Sequence, residues 1–239
     1  MDAIIEKLRG MIAGSGNIVF FGGAGVSTES GIPDFRGTDG LYTQKYKYPP
    51  EKILSGSFFR QYPEAFYEYC RDKLTLGGAR PNRAHLRLAE LEKEGRLRAV
   101  VTQNIDGLHQ AAGSVNVWEL HGSLHRFYCV SCGREMPEAE ALSAAGVPRC
   151  EDCGGVVRPD VVLYEEALNA RVIAGAVRCL SEADLLIVGG SSLNVYPAAG
   201  LINYYRGDKL VLINRQPTPY DGRAKLVINA KLGEVFAQV

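Results

Sequence analysis

The run Ile18-Val19-Phe20-Phe21-Gly22-Gly23-Ala24-Gly25 joins four consecutive apolar residues to a glycine turn. An unbroken apolar run bounded by glycines fits a strand covered on both faces, as in a parallel sheet. The glycines let the chain turn tightly after the strand and let backbone N–H groups approach a phosphate. As a dinucleotide fingerprint the turn is incomplete, because Thr28 stands where a third glycine belongs and Gly31 follows three residues later. On its own, Gly23-x-Gly25 fits a plain strand-to-helix turn as well as a nucleotide site.

Leu97 to Val101, Leu185-Leu186-Ile187-Val188, Leu210-Val211-Leu212-Ile213 and Leu226-Val227-Ile228 repeat the same apolar pattern. Helical periodicities at Ile4 to Ile12, Asn82 to Glu94 and Ala170 to Leu180 separate several of them, and the Ala84-Leu88-Leu91 stripe marks a helix face that packs on a sheet. The pattern predicts an α/β fold with a doubly wound, mostly parallel, Rossmann-like sheet assembled from residues 1–37, 80–125 and 157–239. Two stretches stand outside it. Residues 38–79 are rich in Tyr and Phe, with one helix expected from Ser57 to Leu74, and residues 126–156 hold four cysteines. Both are expected to form a smaller domain over the crevice at the carboxyl ends of the strands, where ligands bind in such sheets.

The cysteines fall as Cys129-x2-Cys132 and Cys150-x2-Cys153, with 17 residues between the pairs. Each pair aims two sulfurs at one ion from a tight knuckle, with Gly133, Gly154 and Gly155 at the turns, so Cys129, Cys132, Cys150 and Cys153 are expected to bind zinc. Four thiolates leave no open coordination position, which makes the metal structural. The short polar segment between the pairs cannot bury a core, so the ion must order it. Met1 opens directly into a charged amphipathic helix without a secretory pattern, so disulfides are not expected and the cytoplasm is the expected compartment. Cys70 and Cys179 lie apart and read as ordinary buried thiols.

Composition narrows the function classes. The 239 residues are 46% hydrophobic and carry 27 acidic and 27 basic side chains without long runs of either sign. That balance provides no footprint for nucleic acid or an anionic membrane. No apolar stretch reaches the roughly 18 to 20 residues of a membrane span. Polar groups instead gather where strands end: Thr102-Gln103-Asn104-Ile105-Asp106-Gly107-Leu108-His109, then His121-Gly122, Gly189-Gly190-Ser191-Ser192 and Asn214-Arg215. Hydroxyls and amides of this kind suit ribose and phosphate. A nicotinamide dehydrogenase would place an acidic residue about 20 positions beyond the glycines. Here the chain runs on as Ser27-Thr28-Glu29-Ser30-Gly31-Ile32-Pro33-Asp34-Phe35-Arg36-Gly37, a loop dense in hydrogen-bonding groups.

With that loop, the Thr102-Gln103-Asn104-Ile105-Asp106 run, His121-Gly122, the four cysteines, Gly190-Ser191-Ser192-Leu193, Pro197-Ala198-Ala199, Ile213-Asn214 and Thr218-Pro219, the chain resembles a bacterial member of the sirtuin family, the NAD-dependent protein deacylases. The likeness covers essentially the whole chain. It implies that an acetyl-lysine of a protein substrate enters between the domains and meets NAD, that its amide oxygen attacks the ribose carbon as nicotinamide leaves, and that His121 then acts as general base toward a ribose hydroxyl. The products implied are lysine and O-acetyl-ADP-ribose. An imidazole with an ordinary pKa near 6.5 suits that role at neutral pH.

The resemblance further implies that Asn104 and Asp106 hold the ribose and the carboxamide and take part in catalysis with His121. Ile32 and Phe35 would shield the reacting centre, while Arg36 and the backbone of Gly23, Ala24 and Gly25 face the diphosphate. Ser30, Asp34, Gln103, Ile105, Gly190, Ser191, Ser192, Asn214 and Arg215 complete the NAD site. His109 reads as structural. The peptide would add as a strand between Val161-Val162-Leu163-Tyr164 and Asn194-Val195. Tyr164-Glu165-Glu166 departs from the family's usual Phe-Gly-Glu, which puts the local backbone in question and suggests a preference for basic flanking residues. Tyr67 matches the tyrosine that family members selecting succinyl or malonyl groups use, but Cys70 stands at their arginine position. Acetyl and other short neutral acyl groups are therefore expected. The protein is expected to act as a monomer that binds neither nucleic acid nor membrane. An NAD-dependent protein ADP-ribosyltransferase on the same fold is the alternative reading.

Overall fold

The computed structural model describes residues 2–34, 40, 46–74 and 78–239. Phe35, Arg36 and Gly37 lie outside the described residues. The chain opens with α1 (Asp2–Ala13) and enters β1 (Ile18–Gly22), whose five residues are all buried. An insertion carries α2 (Pro50–Ile53), α3 (Gly56–Gln61) and α4 (Pro63–Lys73). The chain then returns through α5 (Arg83–Lys93), β2 (Leu97–Thr102), α6 (Leu108–Ala111) and β3 (Val117–Glu119). A second excursion follows, with β4 (Gly122–Cys129), β5 (Glu135–Met136), α7 (Glu138–Ser143) and β6 (Val157–Val161). The last stretch comprises α8 (Ala170–Glu182), β7 (Leu185–Gly189), β8 (Leu210–Ile213), β9 (Leu226–Ile228) and α9 (Leu232–Phe236).

Six of these strands form one sheet in the order β3-β2-β1-β7-β8-β9, with every pairing parallel. Taken in chain order among themselves, the six follow the 3-2-1-4-5-6 order of a Rossmann sheet. Alternation along β1 separates two cores: Val19 and Phe21 pack with α8, and Ile18 and Phe20 pack with α1, α5 and α9. That is why Ile18–Phe21 reads as an unbroken apolar run, since both faces are covered. Among the described residues no helix is long and apolar enough to cross a membrane.

Two expectations from the sequence are corrected. The helix expected from Ser57 to Leu74 is split, because Pro63 begins α4 and the residue before a proline is driven out of the helical region; Tyr62 sits at φ −136°, ψ 60°. Residues 157–161, assigned to the large sheet, form β6, which pairs antiparallel with β4 in a separate three-stranded sheet, β5-β4-β6. Its side of the small domain shares a core with the cysteine module through Phe127, Cys129, Ala141, Cys150 and Val157. Arg158, buried on this strand, pairs with Glu166 at 2.6 Å and lies over the Phe59 ring, which ties the strand to the helical insertion. The strand is Val-Arg-Pro-Asp-Val, and its charged residues and proline already set it apart from the continuous apolar runs of the large sheet.

Beneath the sheet, His85 and His109 pack ring to ring with centroids 4.7 Å apart, and His109 also meets Phe20. His109 is buried in the core, as a structural residue would be. Burial pulls the His85 pKa down to about 4 and the His109 pKa to about 3, with the neighbouring His85 adding to the latter. Both rings are therefore neutral when folded and would protonate near pH 6.5 when unfolded. The unfolded chain binds more protons below pH 6.5, so their contribution is complete above that value and is lost as pH falls toward 4, with a slope of up to about 1.4 kcal/mol per pH unit for each ring. Urea unfolding between pH 7.5 and 4.5 should show this loss, and a His109→Leu variant should show a shallower slope than the parent under the same conditions.

Candidate active site

The strand order reverses between β1 and β7, where Gly22 pairs with Gly189. Beyond these residues the two chain segments cross with backbone against backbone. Gly23 N–H donates to Gly189 O at 3.2 Å and Gly25 N–H to Gly190 O at 2.8 Å. A Cβ on Gly25 would fall 2.8 Å from the Gly190 Cα, and Gly190 itself adopts φ +59° with no room for a side chain against Val26 N. The glycine turn is thus required by the crossing itself, and it leaves Ala24 and Gly25 half-buried at the crevice.

Ser27 lies at the base of this loop, buried, and organises the strand-end polar groups. Its hydroxyl donates to Asp106 Oδ2 at 2.6 Å and accepts from Asn104 Nδ2 at 3.1 Å. One hydroxyl proton allows one direction only, so the chain runs Asn104 to Ser27 to Asp106, and this fixes which way the Asn104 amide faces. Asp106 Oδ1 accepts from Leu108 N at 3.0 Å, and Asn104 N donates to Thr102 Oγ1 at 3.0 Å. Both Asn104 and Asp106 are buried. Gln103 reaches the other side of the crossing, where its Nε2 donates to Ser191 Oγ at 2.9 Å. Ile105, Ile32 and Ser192 are half-buried nearby in sequence to these groups.

His121 stands at the junction of the two sheets. Its Nδ1 lies 2.9 Å from Gln103 O, a group that can only accept, so Nδ1 carries the proton and Nε2 keeps its lone pair. Burial lowers its pKa, only partly opposed by the Gln103 carbonyl, so the ring is neutral at pH 7. The glycine that follows is obligatory: Gly122 has φ +77°, and a Cβ there would overlap Asp160 O on β6. The site therefore holds a neutral imidazole, oriented by backbone, beside a buried amide-hydroxyl-carboxylate chain. Such an arrangement can accept a proton from a hydroxyl and hold a polar ligand against a dry wall.

The remaining expected residues divide by place. Ser30 Oγ accepts from Asn82 Nδ2 at 3.0 Å, and the same amide donates to Val26 O at 2.7 Å. Asn82 caps α5 as well, accepting from Ala84 N at 2.9 Å. Asn82 and Ser27 were not singled out as site residues from sequence; the Asn82-x-x-His85 capping pattern was the readable signal for the first. Asp34 is half-buried. At the end of β8, Asn214 Nδ2 donates to Gln216 O at 2.7 Å, and Arg215 is exposed.

In the segment expected to meet a peptide, Val162 N donates to His121 O at 2.9 Å, which sets Val161–Tyr164 beside His121. Tyr164 N donates to Leu54 O at 2.9 Å and Gly56 N to Tyr164 O at 3.0 Å, so the segment is stitched to the helical insertion. Asn194 is exposed and Val195 half-buried, after Leu193 in the left-handed region at φ +56°. Three expectations are corrected here. Leu163 is buried in the small-domain core, its N donates to Glu166 Oε2 at 2.9 Å and its O accepts from Glu166 N at 3.1 Å, so neither its side chain nor its N–H is left for a ligand. Tyr67 is 2% exposed and its hydroxyl donates to Val157 O, so it faces that core too. Glu165, which stands where the resemblance expects a glycine, adopts φ +75°, although the left-handed region disfavours a side chain. Its carboxylate accepts from Ser57 N and Ser57 Oγ, both at 2.9 Å, in the first turn of α3. The extra charge caps a helix rather than awaiting a basic peptide residue.

The four cysteine sulfurs all lie within 4.8 Å of one another, with Cys129 to Cys153 at 3.5 Å and Cys132 to Cys150 at 3.7 Å. A tetrahedron of thiolates at about 2.3 Å from zinc has edges of about 3.8 Å, so the donor set fits that ion. Backbone N–H groups at Cys132 and Ser131 bring the Cys129 thiol down to about 6, while crowding by Cys129 raises Cys132 and Cys153 against the backbone N–H groups of Arg134 and Gly155.

Residues 23–197 match the Sir2 family. The NAD-dependent protein deacetylase of Clostridium perfringens is 57% identical, over all of this chain and 99% of that protein. A solved Sir2 structure with a peptide and NAD+ superposes with a TM-score of 0.88 at 40% identity, covering 98% of this chain and 96% of the other. Another, with deacetylated peptide and 3′-O-acetyl ADP-ribose, gives a TM-score of 0.90 at 40% identity, again covering 98% and 96%.

Because the thiolates order the module rather than the chemistry, Cys129→Ala should lower zinc content and melting temperature together. A loss of about 3 kcal/mol corresponds to roughly 6–12 °C for a chain of this length. Metal analysis and thermal melting of the variant check this. One full zinc per chain with unchanged melting would refute the assignment.

Proposed function

Because the chain belongs to the Sir2 family, we propose that it is an NAD-dependent protein lysine deacetylase, transferring the acetyl group of acetyl-lysine to ADP-ribose and releasing nicotinamide, deacetylated lysine and O-acetyl-ADP-ribose. The observation that carries the reading is the His121 tautomer set by Gln103 O at 2.9 Å, because it presents a neutral acceptor nitrogen where a ribose hydroxyl must lose its proton. NAD, when bound, supplies the ribose carbon that the acetyl oxygen attacks and the hydroxyl that receives the acyl group. Asn104 and Asp106, locked through Ser27, hold polar contacts without reorganising during the reaction. Gln103, Ser191 and the glycine crossing form the floor for the rest of the dinucleotide. The Val161–Tyr164 segment and Asn194-Val195 bracket the peptide, and β6 brings its end within one hydrogen bond of the base. The thiolate-rich metal site suits a reducing compartment such as the cytoplasm. Transfer of ADP-ribose to protein would give a heavier peptide, whereas deacetylation gives a lighter one with stoichiometric nicotinamide, so mass analysis separates the two.

His121→Ala should leave NAD affinity within a few-fold of the parent and lower kcat by about 10²- to 10⁴-fold. In the parent, kcat/KM should fall as pH drops through a His121 pKa that burial has placed below the ordinary value. Turnover retained within tenfold in the variant would remove His121 from the base role.

Acyl preference follows from the small domain. The Cys70 thiol is pushed up to about 12, chiefly by burial, and stays neutral. Arg71 donates to Gly146 O at 2.9 Å and lies over the Tyr67 ring, so its guanidinium is spent on the zinc-module loop. A negative acyl tail would be desolvated without a bidentate partner. Matched peptides should show kcat/KM for acetyl-lysine at least about tenfold above that for succinyl-lysine, the equivalent of one unpaired charge-assisted hydrogen bond.

A further inference from the structure

The Gln103–Gly107 loop turns Asn104 and Asp106 toward Ser27, and three of its carbonyls are taken by β4 and the residue before it. Gln103 O meets His121 Nδ1 at 2.9 Å, Ile105 O accepts from Leu124 N at 2.9 Å, and Asp106 O meets His125 Nε2 at 3.0 Å. The first contact sets the base and the second is plain backbone. The third involves a side chain with no role in the reaction described above. The other nitrogen of the same ring, Nδ1, lies 2.7 Å from Glu138 Oε2, in the first residue of α7. A peptide carbonyl and a carboxylate both only accept. No neutral tautomer can donate to both, so the ring must carry two protons to make the two bonds. The fit is close, because Gly107 has φ +68° and a Cβ there would fall 2.6 Å from His125 Cδ2.

We propose that His125 is a positioning residue, an imidazolium that braces the Gln103–Gly107 loop against α7 of the zinc module and so holds Asn104 and Asp106 in register for catalysis. Its catalytic consequence rests on the deacetylase reading. The charges around the ring agree with it. Glu138 faces it from α7 and Glu119 from β3, the Asp106 carboxylate is turned away to Ser27 and Leu108, and the adjacent Arg126 is engaged by Glu119 at 2.7 Å and Asp160 at 2.9 Å. Burial lowers the His125 pKa, but the Glu138 bond, the Asp106 carbonyl and the two carboxylates outweigh it and raise it. With a raised pKa the brace is complete below the ordinary value and is lost as pH rises through the folded one.

The test uses the full zinc-loaded chain. It has four histidines, and the other three, His85, His109 and His121, are all shifted downward. Ring NMR should therefore show one histidine titrating above about 6.5. That resonance should vanish in His125→Gln and move down in Glu138→Gln while the other three stay in place. In turnover, His125→Gln should lower kcat about three- to tenfold, the loss of one net hydrogen bond, and should lose the alkaline limb that the parent shows at the His125 pKa. His125→Arg, charged at every pH, should recover kcat to within about twofold and lack that limb. A His125 ring titrating at or below about 6.5 would overturn the proposal. So would a Glu138→Gln variant that leaves the ring unmoved, or a His125→Gln variant with the parent's kcat and pH profile. The ring titration needs no turnover, so its result stands apart from whether the chain deacetylates.

Discussion

Everything at the site depends on two backbones approaching with no side chains between them. Gly25 N donates to Gly190 O at 2.8 Å, and neither residue has room for a Cβ. The contact joins the loops after β1 and β7 at the point where the sheet reverses direction. From there the Ala24–Ser30 turns are carried over the strand ends, Ser27 drops between Asn104 and Asp106, and Gln103 crosses to Ser191. A side chain at either glycine would separate the loops and disperse this set.

A second close approach does the same for His121. Gly122 brings β4 against Asp160 of β6, so His121 is held between the large sheet, through Gln103 O, and the small one, through Val162 N. The small domain in this way fixes the place of His121 rather than only covering the crevice. Its own order comes from three sources of different kinds: an aromatic core in the helical insertion, the buried Arg158–Glu166 pair, and the four thiolates. Glu165 adds a fourth link by capping α3 from a left-handed residue, a strained position stabilised by two hydrogen bonds to Ser57.

Electrostatics in the site follow from burial more than from charge. The chain is neutral overall, and His85, His109 and His121 are all pushed toward the neutral form by desolvation. His125 is the exception because two acceptors converge on it at the seam between domains. One fold thus pushes the two rings in opposite directions, by placing His121 against a single carbonyl and His125 between a carbonyl and a carboxylate.

Local chemistry made much of this readable from the residues alone. Unbroken apolar runs at Ile18–Phe21 and Leu185–Val188 require strands covered on both faces, and Cys-x2-Cys pairs can converge on a metal from any fold that lets them meet. Tertiary structure decided what depends on partners far apart in the chain. Val157–Val161 carries Arg158, Pro159 and Asp160 where the large-sheet strands are continuously apolar, and it pairs with β4, where the Arg158–Glu166 contact and the cysteine core hold it. Tyr67 matches by sequence a tyrosine expected at an acyl pocket, but its hydroxyl is taken by Val157, 90 residues away. The spare carboxylate of Glu165 faces Ser57, 108 residues earlier, rather than a substrate. Residue type and spacing determine what a segment can do, and long-range packing determines which of its polar groups are already satisfied and which remain for a ligand.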